Sequence, residues 1–354
     1  MNPLFWDSTK TGEKKYPASG IKRVAERLLA ELESAGQKII LVKWDKREST
    51  FISREDRKPI PEEGIFITLE IFSEHDRPGF REWTHQFTGK KAAIFHDAIP
   101  IRLPHITWPK SVARHPHYIK MLGTDFDQVL AVSRASEKDL VGYWKWIGLE
   151  ETARTAAIQW GADFDGQARE FVTPINTGKP HLLQVGILEP RKNQALTLGA
   201  CDSLWDKGLD FHLHFAGRAN PHFSKPIVNL INNLSNKGRP LTWHNSPNEN
   251  ELRNLYANAD LCIFPSIAEG CGLPVLEALW TGRPVLASNL ACISENSSYG
   301  GVKQFDLEDP DSLKNQLQKI LNKPQELRRL TEQASIAKLP TWKETASQLM
   351  QHLR

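Results

Sequence analysis

The sequence predicts an α/β chain of two Rossmann-like, doubly wound domains, and three observations carry that prediction. The chain has 354 residues, more than one ordinary domain core accommodates. Short apolar, β-branched runs recur between stretches of helical period, as parallel strands buried on both faces do. The recurrence stops and starts afresh after "EFVTPINTGKP" at 170 to 180, where Pro174, Gly178 and Pro180 make a linker.

The first set of strand runs is "KIILV" at 38 to 42, "GIFITL" at 64 to 69, "AAIF" at 92 to 95 and "QVLAVS" at 128 to 133. The second is "HLLQVG" at 181 to 186, "FHLHFAG" at 211 to 217, "LCIFP" at 261 to 265 and "PVLAS" at 284 to 288. Helices are expected between the latter, near 193 to 206, 224 to 236, 249 to 258 and 273 to 281. A terminal helix follows Pro340, with Thr341 as N-cap and Glu344 at capping-box spacing. The expected division is 1–174, 175–338 and a terminal helix within 339–354.

Composition removes several function classes. Hydrophobic residues make up 40% and charged ones 25%, as in an ordinary globular protein. A net charge of +3 with both signs dispersed lacks the basic face of a nucleic-acid binder. The 4 cysteines, Cys201, Cys262, Cys271 and Cys292, show no CxxC pairing, so neither zinc site nor disulfide framework is indicated. The N-terminus lacks a signal-peptide core, and no apolar run is long enough for a membrane span. The expected setting is the cytoplasm, soluble or at most peripheral to the membrane's inner face.

The chemistry concentrates in "FPSIAEGCGLPVLEALWTG". A strand ends near Phe264 and a helix begins near Leu273, with Pro274 in its first turn where a missing N–H costs nothing. Gly270 and Gly272 allow a ligand close to the backbone, and amides at a helix start favour a phosphate. Glu269 stands just outside that anion site, and Glu277 lies one turn into the helix. A carboxylate there suits paired sugar hydroxyls better than phosphate. The bland alternative is a strand-to-helix turn with two solvated glutamates. In "VGILEPRKNQ", Arg191 and Lys192 follow the first strand of the second domain, at the edge where doubly wound sheets bind ligands. Both can grip phosphate oxygens; in isolation, a basic surface turn would explain them better.

Two D-x-D matches, Asp125 with Asp127 and Asp163 with Asp165, suggest a metal-dependent transferase, but both fall in connecting segments, and no metal is expected. "HPH" at 115 to 117 and "HLH" at 212 to 214 read as structural histidines. "RLPHITWPKSVARHPHYIK" at 102 to 120 mixes basic and aromatic residues. It suits an anionic membrane surface or a lipid-linked acceptor, although an ordinary solvated loop and helix is the favoured reading.

Taken together, "EGCGLPVLE" resembles the E-x7-E motif of the retaining glycosyltransferases of family 4, and "VGILEPRKN" looks like that family's phosphate loop. "SGIKRV" at 19 to 24, "FHDAIP" at 95 to 100, "AVSRASEKDL" at 131 to 140 and "IQWGAD" at 158 to 163 extend the similarity in the family's order. The resemblance implies a GT-B fold: an acceptor domain, a nucleotide-sugar domain, a cleft between them, and a last helix that crosses back to the first domain. It implies that Glu277 binds the ribose, and that Glu269 with the backbone of Gly270, Cys271, Gly272 and Leu273 holds donor sugar and phosphate. Arg191 and Lys192 would stabilise the leaving diphosphate beside Gly186. His96 would line the reaction centre, with Asp97 a second polar contact or a loop anchor, and Gly20 would let the first loop approach the phosphates. Three positions depart from the pattern: one glycine instead of a pair at Gly20, Ile187 in place of arginine, and Cys271 in place of a larger residue.

The expected function is metal-independent, retaining transfer of a hexose from a nucleotide-sugar to a glycan or lipid-linked acceptor in polysaccharide biosynthesis. UDP-glucose is the favoured donor and GDP-mannose the next, and no cofactor is required. The alternatives are a nucleotide-sugar epimerase or hydrolase of the same fold, and a non-catalytic nucleotide-sugar-binding scaffold.

Overall fold

The computed structural model describes residues 3–13, 20–163, 169 and 178–354. The chain divides into two compact units, Met1–Gly161 with Pro340–Arg354, and Ala162–Leu339. The boundary expected at 174/175 lies outside the described residues.

The first unit runs β1 (Leu4–Asp7), α1 (Gly20–Ser34), β2 (Ile39–Asp45), β3 (Thr50–Ser53), β4 (Ile65–Thr68), α2 (Phe80–Gln86), β5 (Lys90–Phe95), α3 (Ile99–Arg102), α4 (Pro109–Thr124), β6 (Gln128–Ala131), α5 (Arg134–Trp146) and β7 (Arg154–Ala157). Its sheet has the order β3-β2-β1-β4-β5-β6-β7 and is parallel except for the β2–β3 pair. The core is aromatic. Phe51 packs on Phe66 with ring centroids 4.6 Å apart, and on Trp83 at 4.8 Å. Each buried phenylalanine is worth roughly 1.5–3 kcal/mol, and well-set ring pairs add about 0.5–1.5.

The second unit contains β8 (His181–Val185), α6 (Gln194–Asp206), β9 (His212–Ala216), α7 (Lys225–Asn236), β10 (Leu241–His244), α8 (Glu249–Asn258), β11 (Leu261–Phe264), α9 (Leu273–Trp280), β12 (Val285–Ser288), α10 (Ala291–Ser297), β13 (Val302–Phe305), α11 (Ser312–Asn322) and α12 (Pro324–Ile336). Its sheet is wholly parallel, in the order β10-β9-β8-β11-β12-β13. The core is mainly aliphatic, with Leu182, Leu198, Leu204, Leu213, Leu261 and Leu286 fully buried. Arg169 caps two helix ends at once, donating to the carbonyls of Leu279 and Trp280 at the end of α9, and of Ala334 and Ala337 at the end of α12.

The last helix, α13 (Trp342–Leu353), starts with the capping box expected at Thr341 and Glu344. It packs on α1, and the Thr345 hydroxyl donates to the Gln159 carbonyl at 2.8 Å. Lys90 Nζ reaches the carbonyl of His352 at 2.7 Å.

Five strands were not expected from sequence. β1 (LFWD) and β10 (LTWH) carry no Val or Ile, while β3, β7 and β13 have one sheet neighbour or mix polar residues with apolar ones. Edge strands need less burial, so their sequences lack the continuous apolar signal. In each sheet the strand order reverses beside the first strand, between β1 and β4 and between β8 and β11. The crevice outside the carboxyl ends of such a strand pair is where open α/β sheets take ligands.

Candidate active site

In the second unit, β8 and β11 pair side by side, so the loops that leave their carboxyl ends are neighbours. The loop after β8 turns at Gly186, whose φ of 152° is a glycine conformation; a Cβ there would lie 3.3 Å from the Lys192 side chain. The chain then makes a 3-10 turn through Pro190–Lys192, and Asn193 adopts a left-handed conformation before α6. Gln184 Nε2 fixes the Lys192 carbonyl at 2.8 Å, and Gln194 Nε2 fixes that of Ile187 at 2.9 Å.

From β11 the second loop approaches, and the Ile267 amide donates to the Arg191 carbonyl at 2.9 Å. Gly272 caps α9 with φ 73°, and a Cβ there would meet Ile293 Cδ1 at 2.4 Å. α10 holds the loop from behind: Asn296 Nδ2 donates to the Cys271 carbonyl at 2.7 Å, and the Cys292 thiol to the Glu269 carbonyl at 3.4 Å. Burial, with help from the Glu269 charge, keeps both thiols protonated; that of Cys292 is pushed up to about 12.

These loops bring Arg191, Lys192 and Glu269 together. Glu269 Oε1 receives Lys192 Nζ at 2.6 Å and an Arg191 guanidinium nitrogen at 2.7 Å. Arg191 also grips Glu189, at 2.8 and 3.1 Å, and Glu189 is held from its other oxygen by Asn220 at 3.0 Å. Lys192 and Glu269 side chains are each 9% exposed, and the ammonium lies 5.0 Å from the Phe264 ring centre. Burial raises the Glu269 carboxyl, but Arg191 and Lys192 outweigh it and hold it below the ordinary carboxylate range. The expectation pictured the two cations turned to phosphate and Glu269 to a sugar; in this structure all three face one another. Charges so far from water are stable only when paired.

Glu277 is also differently set. The expectation set it one turn into the helix to receive ribose hydroxyls; in this structure it is 2% exposed and accepts from the Tyr256 hydroxyl of α8 at 2.9 Å. Tyr256, Asn296, Glu189 and Asn220 were missed by the sequence reading. Only Glu189, two positions before Arg191, carried a local signal.

Within β10, Trp243 Nε1 donates to the Gly217 carbonyl at 2.9 Å. His244 and Asn245 line a cavity of ≈ 550 Å³ with His181, His214, Glu251 and Asn254. Both ring nitrogens of His214 are committed to other histidines: Nε2 to His181 Nδ1 at 2.8 Å, and Nδ1 to His244 Nε2 at 3.1 Å. "HLH" is therefore a rung of this imidazole stack, and among the described residues no group of three His, Cys, Asp or Glu side chains is arranged to hold a metal ion.

His96 and Gly20 belong to the first unit. His96 follows β5, and its Nε2 lies 2.7 Å from the Leu69 carbonyl. Burial lowers its pKa, so the ring is neutral near pH 7. Asp97 anchors a loop, its Oδ1 accepting from the Ile99 amide at 2.9 Å, while its carbonyl accepts from buried His115. Gly20 opens α1, and a Cβ there would meet nothing within 4 Å. Asp125 and Asp127 secure the approach to β6, through Thr124 and the Lys91 amide; Asp165 lies outside the described residues.

Comparison with known proteins bears on the fold and on the second unit. Residues 166–336 match the family model "Glycosyl transferases group 1". A serotype-specific mannosyltransferase, WbdA of Escherichia coli, is 25% identical over 234 residues, 61% of this chain and 29% of its own length. The chain thus spans under a third of that relative. Among solved structures, sucrose-phosphate synthase of Thermosynechococcus elongatus superposes with TM-score 0.72 at 18% identity, covering 99% of this chain and 98% of its own. Anabaena HepE, solved with UDP and glucose, gives TM-score 0.71 at 12% identity, covering 100% and 99%. Both share the two-domain GT-B fold.

Proposed function

We propose, on the premise that residues 166–336 are a glycosyltransferase group 1 domain within a GT-B fold, that the chain transfers a hexose from a nucleoside diphosphate sugar to a glycan or lipid-linked hydroxyl in polysaccharide biosynthesis. The observation that carries the reading is the Arg191–Lys192–Glu269 cluster beside the glycine-capped start of α9. Two cations and a helix N-terminus supply fixed positive charge where a diphosphate leaves, so the transfer needs no metal ion. Glu269 then turns from its cations to the sugar hydroxyls as the diphosphate takes its place. Glu277, oriented by Tyr256, receives the ribose hydroxyls.

Configuration is retained without a covalent enzyme nucleophile. The acceptor hydroxyl attacks on the face the phosphate leaves, and a departing phosphate oxygen takes its proton. Neutral His96 lines the acceptor side. Of the two donors expected, GDP-mannose moves ahead of UDP-glucose because the relative similar in sequence is a mannosyltransferase. The basic, aromatic stretch 102–120, with Trp108, Lys110, His117 and Lys120 exposed, is the surface for any contact with anionic lipid.

The test is product analysis with both donors, with and without EDTA, on lipid-linked and soluble acceptors. The reading expects an α-linked product from an α-linked donor, unchanged by EDTA. Glu269→Ala should mainly lower kcat and Glu277→Ala mainly weaken donor binding. Free nucleotide or an isomerised sugar without acceptor would identify a hydrolase or epimerase, and binding without turnover would identify a scaffold. Absence of pelleting with anionic liposomes would remove the membrane contact.

A further inference from the structure

In the first unit the switch point between β1 and β4 is occupied by a buried charge cluster that the proposed reaction does not use. Asp7 ends β1, and Glu70 follows β4 by two residues. Arg77 bridges them, at 2.7 Å to Asp7 and 2.6 Å to Glu70, with all three side chains 1% exposed or less. Its guanidinium carbon lies 3.7 Å from the Phe72 ring centre. Such a cluster is a weak source of stability, because desolvation offsets much of the attraction. Its geometry shows what it orders.

Glu70 Oε1 accepts from the amides of Lys10 at 2.6 Å and Thr11 at 2.8 Å, so it binds the loop after β1. Asp7 Oδ1 accepts from the amide and hydroxyl of Thr9 at 3.1 and 2.7 Å. Asp7 Oδ2 accepts from the Thr68 hydroxyl at 2.6 Å, and that same hydroxyl accepts from the Glu70 amide at 3.1 Å. Residues 68 and 70 are thus pinned, and Leu69 between them presents its carbonyl to His96 at 2.7 Å. A carbonyl only accepts, so the His96 proton sits on Nε2 and the lone pair on Nδ1.

We infer that Glu70 is a positioning residue: by binding Arg77 and the loop amides it fixes the Leu69 carbonyl, and so holds His96 in the Nε2–H tautomer with Nδ1 as the accepting nitrogen. The functional half of this inference rests on the transferase reading; the tautomer half does not. Burial, then the neighbouring Asp7 charge, pushes Glu70 up to about 7, so its ionisation falls in the working range. The other charged groups around it are Lys10, which contacts Asp76 and the Ile71 carbonyl, Arg114 on Asp76, and Arg54 on Ser8. The loss of the Glu70 charge on acidification should loosen the clamp.

The experiment is nitrogen-15 NMR of histidine-labelled full-length chain, with His96 assigned by His96→Asn, on wild type, Glu70→Gln and Glu70→Asp. Glu70→Asp keeps the charge for Arg77 but shortens the reach to the loop amides, so it preserves folding if Glu70→Gln does not. Expected are a single Nε2–H tautomer in the wild type and a mixture in either folded variant. Steady-state kinetics should show kcat reduced roughly tenfold to a hundredfold, as mispositioned groups do, with donor Kd unchanged. Wild-type kcat should fall below about pH 7, and that inflection should be gone in Glu70→Gln. A lowered Tm with the His96 tautomer unchanged would overturn the inference and leave Glu70 a structural residue. If wild type transfers no hexose, the transferase reading fails and the tautomer still decides the role of Glu70.

Discussion

Replacing Glu269 by glutamine keeps the side chain's size and removes its charge, which isolates what the carboxylate does for Arg191 and Lys192. The two cations respond unequally. Arg191 retains Glu189 through two nitrogens, whereas Glu269 is the acid Lys192 meets among the described ion pairs. Removing one partner of a buried pair costs about 3–5 kcal/mol, and retention of Glu189 puts this case at the lower end, about 3. For a unit of this size each kcal/mol moves the melting temperature by roughly 2–4 °C, so Glu269→Gln should melt roughly 6–12 °C lower. A diphosphate restores the missing negative charge, and a ligand that binds only the native state raises the transition. UDP or GDP, which carry no sugar for Glu269 to hold, should therefore stabilise the variant by more degrees than the wild type. Differential scanning fluorimetry of the full chain reads both quantities. A variant that melts within about 2 °C of wild type, or gains less from the diphosphate, would refute the view of Glu269 as the counter-charge of a phosphate site.

Three further outcomes follow from the same geometry. Gly272→Ala forces a left-handed alanine, about 1–2 kcal/mol by itself, and drives a methyl into Ile293, so the urea midpoint should fall and donor affinity with it. Tyr256→Phe removes a hydrogen bond to a carboxylate worth about 1.5–3 kcal/mol; donor Kd by calorimetry should rise at least about tenfold if the Tyr256–Glu277 contact sets the ribose site. Burial, then neighbouring His212, His181 and His244, pushes His214 down to about 4 from an unfolded 6.5. The folded state favours the neutral ring, so this stability is complete above the unfolded value and is lost as pH falls from 6.5 towards 4. Melting curves across that range should show a slope that His214→Gln flattens.

Much of the fold, and the position of the candidate site, was legible because the loops concerned grow from buried strands. "HLLQVG" and "LCIFP" are continuous apolar runs that end in turn signals, and in a doubly wound sheet the ends of such runs carry the ligand loops. Arg191, Lys192 and Glu269 could be nominated from those positions once the motif resemblance was added, since a basic surface turn explains the two cations better in isolation. Their mutual pairing could not, because it depends on β8 and β11 being sheet neighbours, a fact no local pattern contains. Tyr256 and Asn296 escaped for the same reason: each reaches the site from a helix whose own sequence is ordinary. β1 escaped because Leu-Phe-Trp-Asp contains no β-branched residue, and the aromatic core that buries it forms only after folding.

The first unit is interrupted in sequence: its last helix returns only after the second unit has been completed. For anyone wishing to exchange specificities, the two halves are consequently unequal building blocks. Residues 162–339 form one continuous stretch of chain, with a single entry and a single exit. Stopping translation at residue 161 would instead strip α13 from α1 and leave Lys90 and Gln159 without the groups they bind, so the first unit must be expressed with its tail rejoined.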